Sequence, residues 1–250
     1  SDGIVALGAS DGTVRWDREW DASGAQRIAG RDTSIAEVEI LEQTPAILLN
    51  RGIELEALSL ADGTATWRTD IATAEYNYNA VKIRNGNQRL VVEGWYDSES
   101  VPLQQIVYSI NPEDGDTSWQ STEEFDSDPQ VGDGLVYFHK NNRIIGFDQR
   151  SGAERFSIPK DGIDVEQSVV DDGRLYLLGE VDPQKGVVRA HSISDGSVEW
   201  RFEIPFSPEE YYQVGEDITV VDGTVYVQPF YWVDDNTINR TLYALDASTG

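Results

Sequence analysis

Thr241-Leu242-Tyr243-Ala244-Leu245-Asp246-Ala247-Ser248-Thr249-Gly250 has a skeleton that decides the fold: a small residue, six steps, then a turn glycine. The same spacing links Ala6 to Gly12, Ala57 to Gly63, Ser109 to Gly115, Gly146 to Gly152, Ala190 to Gly196 and Ala244 to Gly250. Four residues after each of the first five glycines stands an aromatic residue: Trp16, Trp67, Trp119, Phe156 and Trp200. One spacing sustained along a whole chain marks a repeat architecture.

Outward from each glycine, the segments read as short strands. Ile4-Val5-Ala6-Leu7, Asp11-Gly12 and Thr13-Val14-Arg15-Trp16 form a hairpin signal. Glu37–Leu41, 46–49, 55–60 and 64–67 give four strands closing on Asp62-Gly63. The order returns at 79–83, 90–92 and 106–110 before Asp114-Gly115, and again at 135–138 and 143–147 before Ser151-Gly152. It returns once more at 175–178 and 187–192 before Asp195-Gly196, then at 225–227 and 242–245. Residues 21–34 are polar and read as a loop. Apolar runs of three to five residues bounded by Gly, Asp and Asn, without helical periodicity, indicate an all-β chain.

Leu135-Val136-Tyr137-Phe138 is apolar at successive positions, so the sheet that contains it must be covered on both faces. Small four-stranded sheets stacked around an axis provide that cover, and periods of forty to fifty residues match a β-propeller. A β-sandwich is the alternative, and it leaves the fixed tryptophan offset unexplained. With strands named A to D outward, the chain starts with a C–D pair and stops after a C strand, leaving about five blades with the terminal blade incomplete or composite. Either the two ends share a blade, or the chain is part of a longer propeller. An unpaired edge strand is an aggregation liability, which favours the second. Residues 1–250 are expected to form a single domain.

The chain carries 45 Asp and Glu against 19 Lys and Arg, a formal net charge of −26, with only four lysines. That field opposes nucleic acid and anionic lipid. At 39% hydrophobic residues with seven tryptophans, the chain is nonetheless foldable, so the acid belongs on the surface. An acidic, lysine-poor fold of this kind resembles proteins of halophilic archaea, which implies a high-salt environment. There is no cysteine, which excludes disulfides and thiolate chemistry, and no apolar run long enough for a transmembrane helix. No membrane insertion within this chain is expected. The absence of methionine, with Ser1 first, points to a processed or trimmed chain, so a signal or anchor would lie outside it.

The pattern Ala-x-Asp-x-x-Thr-Gly-x-x-x-Trp resembles the tryptophan-docking repeat of pyrroloquinoline quinone (PQQ)-like β-propellers. Ala244-Leu245-Asp246-Ala247-Ser248-Thr249-Gly250 matches it up to the glycine; Asp148 keeps the aspartate, while Gly8, Ser59, Asn111 and Ser192 replace it. That family includes quinoprotein dehydrogenases and the non-enzymatic outer-membrane assembly lipoprotein BamB. By this resemblance Trp16, Trp67, Trp119, Phe156 and Trp200 are structural docking residues. The glycine permits the turn, the small residue leaves room for a neighbouring sheet, and the indole covers the turn and fills the gap between blades.

The dehydrogenases of the family use calcium held by Glu, Asn and Asp, an Asp base and, in many members, a disulfide of adjacent cysteines. No segment here matches those positions, so neither catalytic residues nor a cofactor are assigned, and PQQ or Ca2+ has no matching residues. His139 and His191 lack partners at metal-ligand spacing and read as surface or satisfied core histidines. Asp126-Ser127-Asp128 and Asp234-Asp235-Asn236 lack a full calcium-loop ligand set.

The candidate binding residues are aromatics in the long insertions, outside the regular strands: Trp95 and Tyr96, Tyr76 and Tyr78, Tyr211 and Tyr212, and Phe230, Tyr231 and Trp232. Aromatics flanked by acids suit recognition of a protein or glycan partner at a propeller face. Asn239-Arg240-Thr241 is an N-glycosylation sequon, compatible with a secreted or cell-surface location. The expected function is a non-catalytic, extracytoplasmic binding or assembly scaffold, with self-association possible through the incomplete terminal blade. A quinone-dependent enzyme and a cell-surface lectin or coat component are the alternatives.

Overall fold

The computed structural model describes residues 2–20, 37–41, 44, 46–50, 54–71, 77–85, 89–98, 101–182, 185–205, 211–213, 217–234 and 237–250. Their regular elements are all strands, and every pairing is antiparallel. β1 (Asp2–Leu7) pairs with β2 (Val14–Trp20). A four-stranded meander follows: β3 (Glu37–Leu41), β4 (Ala46–Asn50), β5 (Glu54–Ser59) and β6 (Ala65–Asp70). The second meander is β7 (Asn77–Asn85), β8 (Leu90–Ser98), β9 (Val101–Ile110) and β10 (Thr117–Ser121). The third is β11 (Gln130–Gly132), β12 (Leu135–Lys140), β13 (Arg143–Asp148) and β14 (Glu154–Pro159). The fourth is β15 (Asp164–Asp171), β16 (Arg174–Asp182), β17 (Lys185–Ser192) and β18 (Val198–Glu203).

The last repeat is interleaved. β20 (Ile218–Val221), β21 (Thr224–Val227) and β24 (Tyr243–Asp246) make a three-stranded sheet. β19 (Tyr211–Gln213), β22 (Phe230–Asp234) and β23 (Thr237–Arg240) make a separate one, in the order β19-β22-β23. The fold is therefore a β-propeller of four-stranded blades, with a C–D pair first and a three-stranded sheet ending in a C strand last. The separate sheet was not foreseen from the sequence.

The chain forms two compact units: Ser1–Glu124 with Gln149–Gly152, and Phe125–Asp148 with Ala153–Gly250. In the first, Leu48, Leu55, Ala57, Trp67, Leu90, Val92 and Ile110 share one core. In the second, one core gathers Leu135, Tyr137, Ile144, Phe156, Leu175 and Leu177, and another gathers Tyr176, Leu178, Ala190, Trp200, Val225 and Leu245. The B strands explain this layering, because Leu175, Tyr176, Leu177 and Leu178 are all buried and odd and even residues enter different cores. Burying both faces of a strand stabilises by ~1.5–3 kcal/mol per large apolar side chain. The D strands β6 and β18 instead alternate, and their single buried residue is Trp67 or Trp200.

A–B hairpins turn at Asp133-Gly134, Asp172-Gly173 and Asp222-Gly223, where both residues have positive φ, 51° and 71° in the first. This is the two-residue turn whose twist matches the flanking strands, and it explains Asp-Gly at these positions.

One expectation is corrected. The aromatic pairs do not stand outside the strands: Tyr78 lies in β7, Trp95 and Tyr96 in β8, Tyr211 and Tyr212 in β19, and Phe230, Tyr231 and Trp232 in β22. Their aromatic and β-branched surroundings favour extended backbone, so the insertions lengthen β7, β8 and β9 and build the separate sheet. Tyr76, Asp235, Asn236 and the loop expected at 21–34 lie outside the described residues.

Candidate functional site

The repeat unit is built from its turn upward. In five turns the glycine N–H donates to the carbonyl four residues earlier: Gly12 to Gly8 at 2.8 Å, Gly63 to Ser59, Gly115 to Asn111 and Gly196 to Ser192 at 2.9 Å, and Gly250 to Asp246 at 2.8 Å. An aspartate secures each loop. Asp62 Oδ1 accepts from the Thr64 N–H at 3.1 Å and hydroxyl at 2.8 Å, and Asp11 and Asp195 do the same for Thr13 and Ser197. Asp246 takes over that role from four residues upstream, accepting from Ser248 and Thr249. These bonds favour the ionised form and hold the carboxyls of Asp11, Asp62, Asp195 and Asp246 below the usual carboxylate range.

Each indole covers the turn of the following sheet rather than its own. Trp16 Nε1 donates to Leu60 O at 3.0 Å, Trp67 to Pro112 O, Trp119 to Gln149 O and Trp200 to Ala247 O, the last three at 2.9 Å. Every acceptor lies three residues before a turn glycine: Gly63, Gly115, Gly152 and Gly250. A Cβ on those glycines would lie 2.6, 2.6, 2.9 and 3.0 Å from the nearest atom of Trp16, Trp67, Trp119 and Trp200 respectively. The terminal turn at Gly250 is thus covered, by Trp200. Phe156 behaves differently, because its ring lies over Gly146 across the strand pair, where a Cβ would come within 2.1 Å of Cε1.

The position before the small residue carries charge that the sequence reading passed over. Glu56, buried in β5, receives Arg18 Nη2 at 2.6 Å and Arg68 Nη2 at 2.7 Å on Oε1, while Arg18 Nη1 donates to Gly63 O at 3.2 Å. Arg68 stands directly opposite Glu56 on β6, and Arg18 arrives from β2 two residues after Trp16. In β17 the same position is Arg189, with Arg201 opposite on β18. An ionisable residue immediately before the small residue was the signal available in the sequence.

Both histidines are buried, and neither belongs to a group of three or more His, Asp or Glu placed to hold a metal among the described residues. His139 Nε2 stands 3.4 Å from Ser168 Oγ, whose hydroxyl donates to Gln130 at 2.9 Å. Burial, then Lys160, pushes the His139 pKa down to about 4, against a smaller opposing effect of Asp126. His191 Nδ1 stands 3.1 Å from Gly196 O, but its Nε2 has no partner among the described residues. It is therefore only half satisfied, which corrects the reading of a satisfied core histidine. Asp126-Ser127-Asp128 is committed to the end of β12: Asn141 N–H donates to Asp126, His139 N–H donates to Ser127 Oγ at 2.9 Å, and Ser127 donates to Asp128 O.

The separate sheet brings together five of the sequence-predicted aromatics. Its register places Tyr211, Trp232 and Ile238 in one row, and Tyr212, Tyr231 and Asn239 in the next. Gln213, Phe230 and Arg240 form a third. The sequon residue Asn239 lies on β23, an edge strand of this sheet rather than a loop. Trp95 and Tyr96 belong to a different sheet, on β8, in register with Gln105 and Gln104.

Residues 1–100 and 103–250 match the family described as outer membrane protein assembly factor BamB. The chain belongs to that family. A serine/threonine-protein kinase, AfsK of Streptomyces griseus, is 30% identical over 168 residues, which is 64% of this chain and 18% of the kinase. The chain therefore spans less than a fifth of that relative's length. Among solved structures, BamB from Moraxella catarrhalis is similar at 15% identity, covering 99% of this chain and 92% of that one, with a TM-score of 0.42. A eukaryotic initiation factor is similar at 10% identity over 82% of this chain and 53% of that one, with a TM-score of 0.56. No helix among the described residues is long and apolar enough to cross a membrane.

Proposed function

We propose that this chain is a non-catalytic, extracytoplasmic binding or assembly scaffold that takes a protein or glycan partner on the β19-β22-β23 sheet. The observation that carries this is the convergence of Tyr211, Tyr212, Phe230, Tyr231 and Trp232 in adjacent rows of a sheet outside the blade meanders. Tyrosine and tryptophan supply large contact area at low conformational cost and dominate interface energetics. Membership of an assembly-factor family supports a protein partner, and the sequon at Asn239 supports a surface location. A net charge of −26 supports a high-salt setting of the halophilic archaeal kind, where a bacterial outer-membrane role does not carry over.

Self-association through β24 is part of this reading. Ala57, Ser109, Gly146 and Ala190 are buried opposite an aromatic of the outer strand, whereas Ala244 is exposed and β24 pairs with β21 alone among the described residues.

The test compares the native chain with a Tyr231→Ser/Trp232→Ser variant in cross-linked material from the native cell surface. The variant is expected to lose a specific partner while its melting temperature is unchanged. Retention of the same cross-linked partners would overturn the assignment of the sheet. Reduction of a dye on adding PQQ and calcium would instead support a quinone-dependent enzyme.

A further inference from the structure

The structure assigns a binding site for a small monovalent anion, halide or carboxylate, between Arg189 and Arg201; we propose it from a comparison of two equivalent positions in this chain. Glu56 precedes Ala57 on β5 and faces Arg68 on β6; Arg189 precedes Ala190 on β17 and faces Arg201 on β18. In the first case a carboxylate oxygen lies 2.6 to 2.8 Å from two guanidinium groups. In the second, two arginines stand opposite each other in the strand pair, and their carboxylate neighbours lie to either side, Asp161 Oδ2 3.9 Å from Arg189 and Glu203 Oε1 2.9 Å from Arg201. Like charges directly opposite in a sheet are destabilising.

Arg189 is 7% exposed, and its nearest carboxylate among the described residues is Asp161, with Oδ2 3.9 Å from Nη1. That separation is beyond hydrogen-bond reach. An arginine cannot escape burial by deprotonating, so its charge calls for a partner. Its flanks are apolar: Leu177 stands opposite it on β16 and Val187 two residues before it, both fully buried. A low-dielectric flank strengthens attraction for an anion. Two residues further along the same face, His191 is buried with Nε2 unpartnered among the described residues. Burial and then the neighbouring Arg201 lower the proton affinity of Arg189, against a smaller opposing effect of Asp161.

Access is from the Arg201 side. Its side chain is 39% exposed, and its Nη2 lies 2.9 Å from Glu203 Oε1, itself an exposed partner. A net charge of −26 repels anions from the molecule as a whole, so occupancy rests on this local pair and needs a high anion concentration.

Thermal unfolding of the full chain at constant ionic strength tests the site, with sodium fluoride replaced stepwise by sodium bromide in one arm and by sodium acetate in the other. Wild type is expected to gain about 3–6 °C at ten times the dissociation constant of the occupying anion. A gain with bromide alone assigns a halide, and a gain with acetate assigns a carboxylate. In Arg201→Glu, an exposed substitution that places a carboxylate opposite Arg189 as Glu56 stands opposite Arg68, the gain disappears. An anomalous bromide peak between the two guanidinium groups appears in wild-type crystals and is absent from the variant. The proposal is overturned if neither anion shifts wild type relative to Arg201→Glu, or if the variant keeps the bromide peak.

Discussion

Gly115→Ala and Gly12→Ala are the same chemical change at the same repeat position, yet the structure makes them unequal. Both glycines have positive φ, 79° at Gly115 and 67° at Gly12, so each alanine pays for a left-handed backbone. That cost is about 1–2 kcal/mol, partly offset by about 0.4–1 kcal/mol from the stiffer unfolded chain. At Gly12 a Cβ meets nothing within 4 Å, and the net loss should stay near ~1 kcal/mol. At Gly115 the Cβ falls 2.5 Å from Thr69 Oγ1, 2.6 Å from Trp67 Cε3 and 2.9 Å from Cδ2, all inside van der Waals contact. The indole must withdraw from a site where it is 8% exposed and bonded to Pro112 O at 2.9 Å.

Losing part of that packing and the buried hydrogen bond adds about 2–3 kcal/mol, for a total of about 3–4 kcal/mol. Both glycines lie in the first compact unit, so its urea unfolding, followed by tryptophan fluorescence in concentrated salt, compares them directly. A double-mutant cycle sharpens the result. In a Trp67→Ala/Thr69→Ala background, where both obstructing side chains are gone, Gly115→Ala should cost no more than Gly12→Ala. Equal losses for the two single variants, or a Gly115→Ala cost that persists without those side chains, would refute inter-sheet docking as the reason for the glycine.

Glu56→Ala removes the buried carboxylate shared by the partly exposed Arg18 and the exposed Arg68, whose charges water can then solvate, and should destabilise by about 1.5–3 kcal/mol in the same unfolding assay. His139 has its folded pKa lowered to about 4, from an ordinary 6.5, by burial and Lys160 against Asp126. Its contribution is present above pH 6.5 and is lost as pH falls through about 4. Stability should drop by roughly 2 kcal/mol over that window, and His139→Gln should flatten this part of a pH series of melts. With a net charge of −26, melting temperature should rise with KCl up to molar concentration as repulsion is screened, and a flat series would remove the high-salt reading.

Much of the fold is legible in the sequence because the information is local. Asp133-Gly134 and Asp172-Gly173 encode hairpin turns through backbone conformations that few residues tolerate. The continuous apolar run 175–178 announces a strand covered on both faces, and the C–D start and C-strand finish follow from counting strands around the glycines. The candidate site was less legible. Tyr211 and Trp232 lie apart in sequence, and only hydrogen-bond register places them in one row. Arg189 and Arg201 each read as an ordinary cation on a strand.

The sequence by itself determined the repeat, the turns and the aromatic positions, because a glycine at positive φ and an alternation of apolar residues depend on their immediate neighbours. Only the tertiary structure decided which turn each indole covers. Trp16 reaches Leu60 across 44 residues, Trp67 reaches Pro112 across 45 and Trp200 reaches Ala247 across 47, and each passes over its own glycine. It also decided that a carboxylate sits between two arginines at Glu56 while two arginines stand opposite each other in register at Arg189, since charge pairing depends on distances that a one-dimensional spacing does not contain.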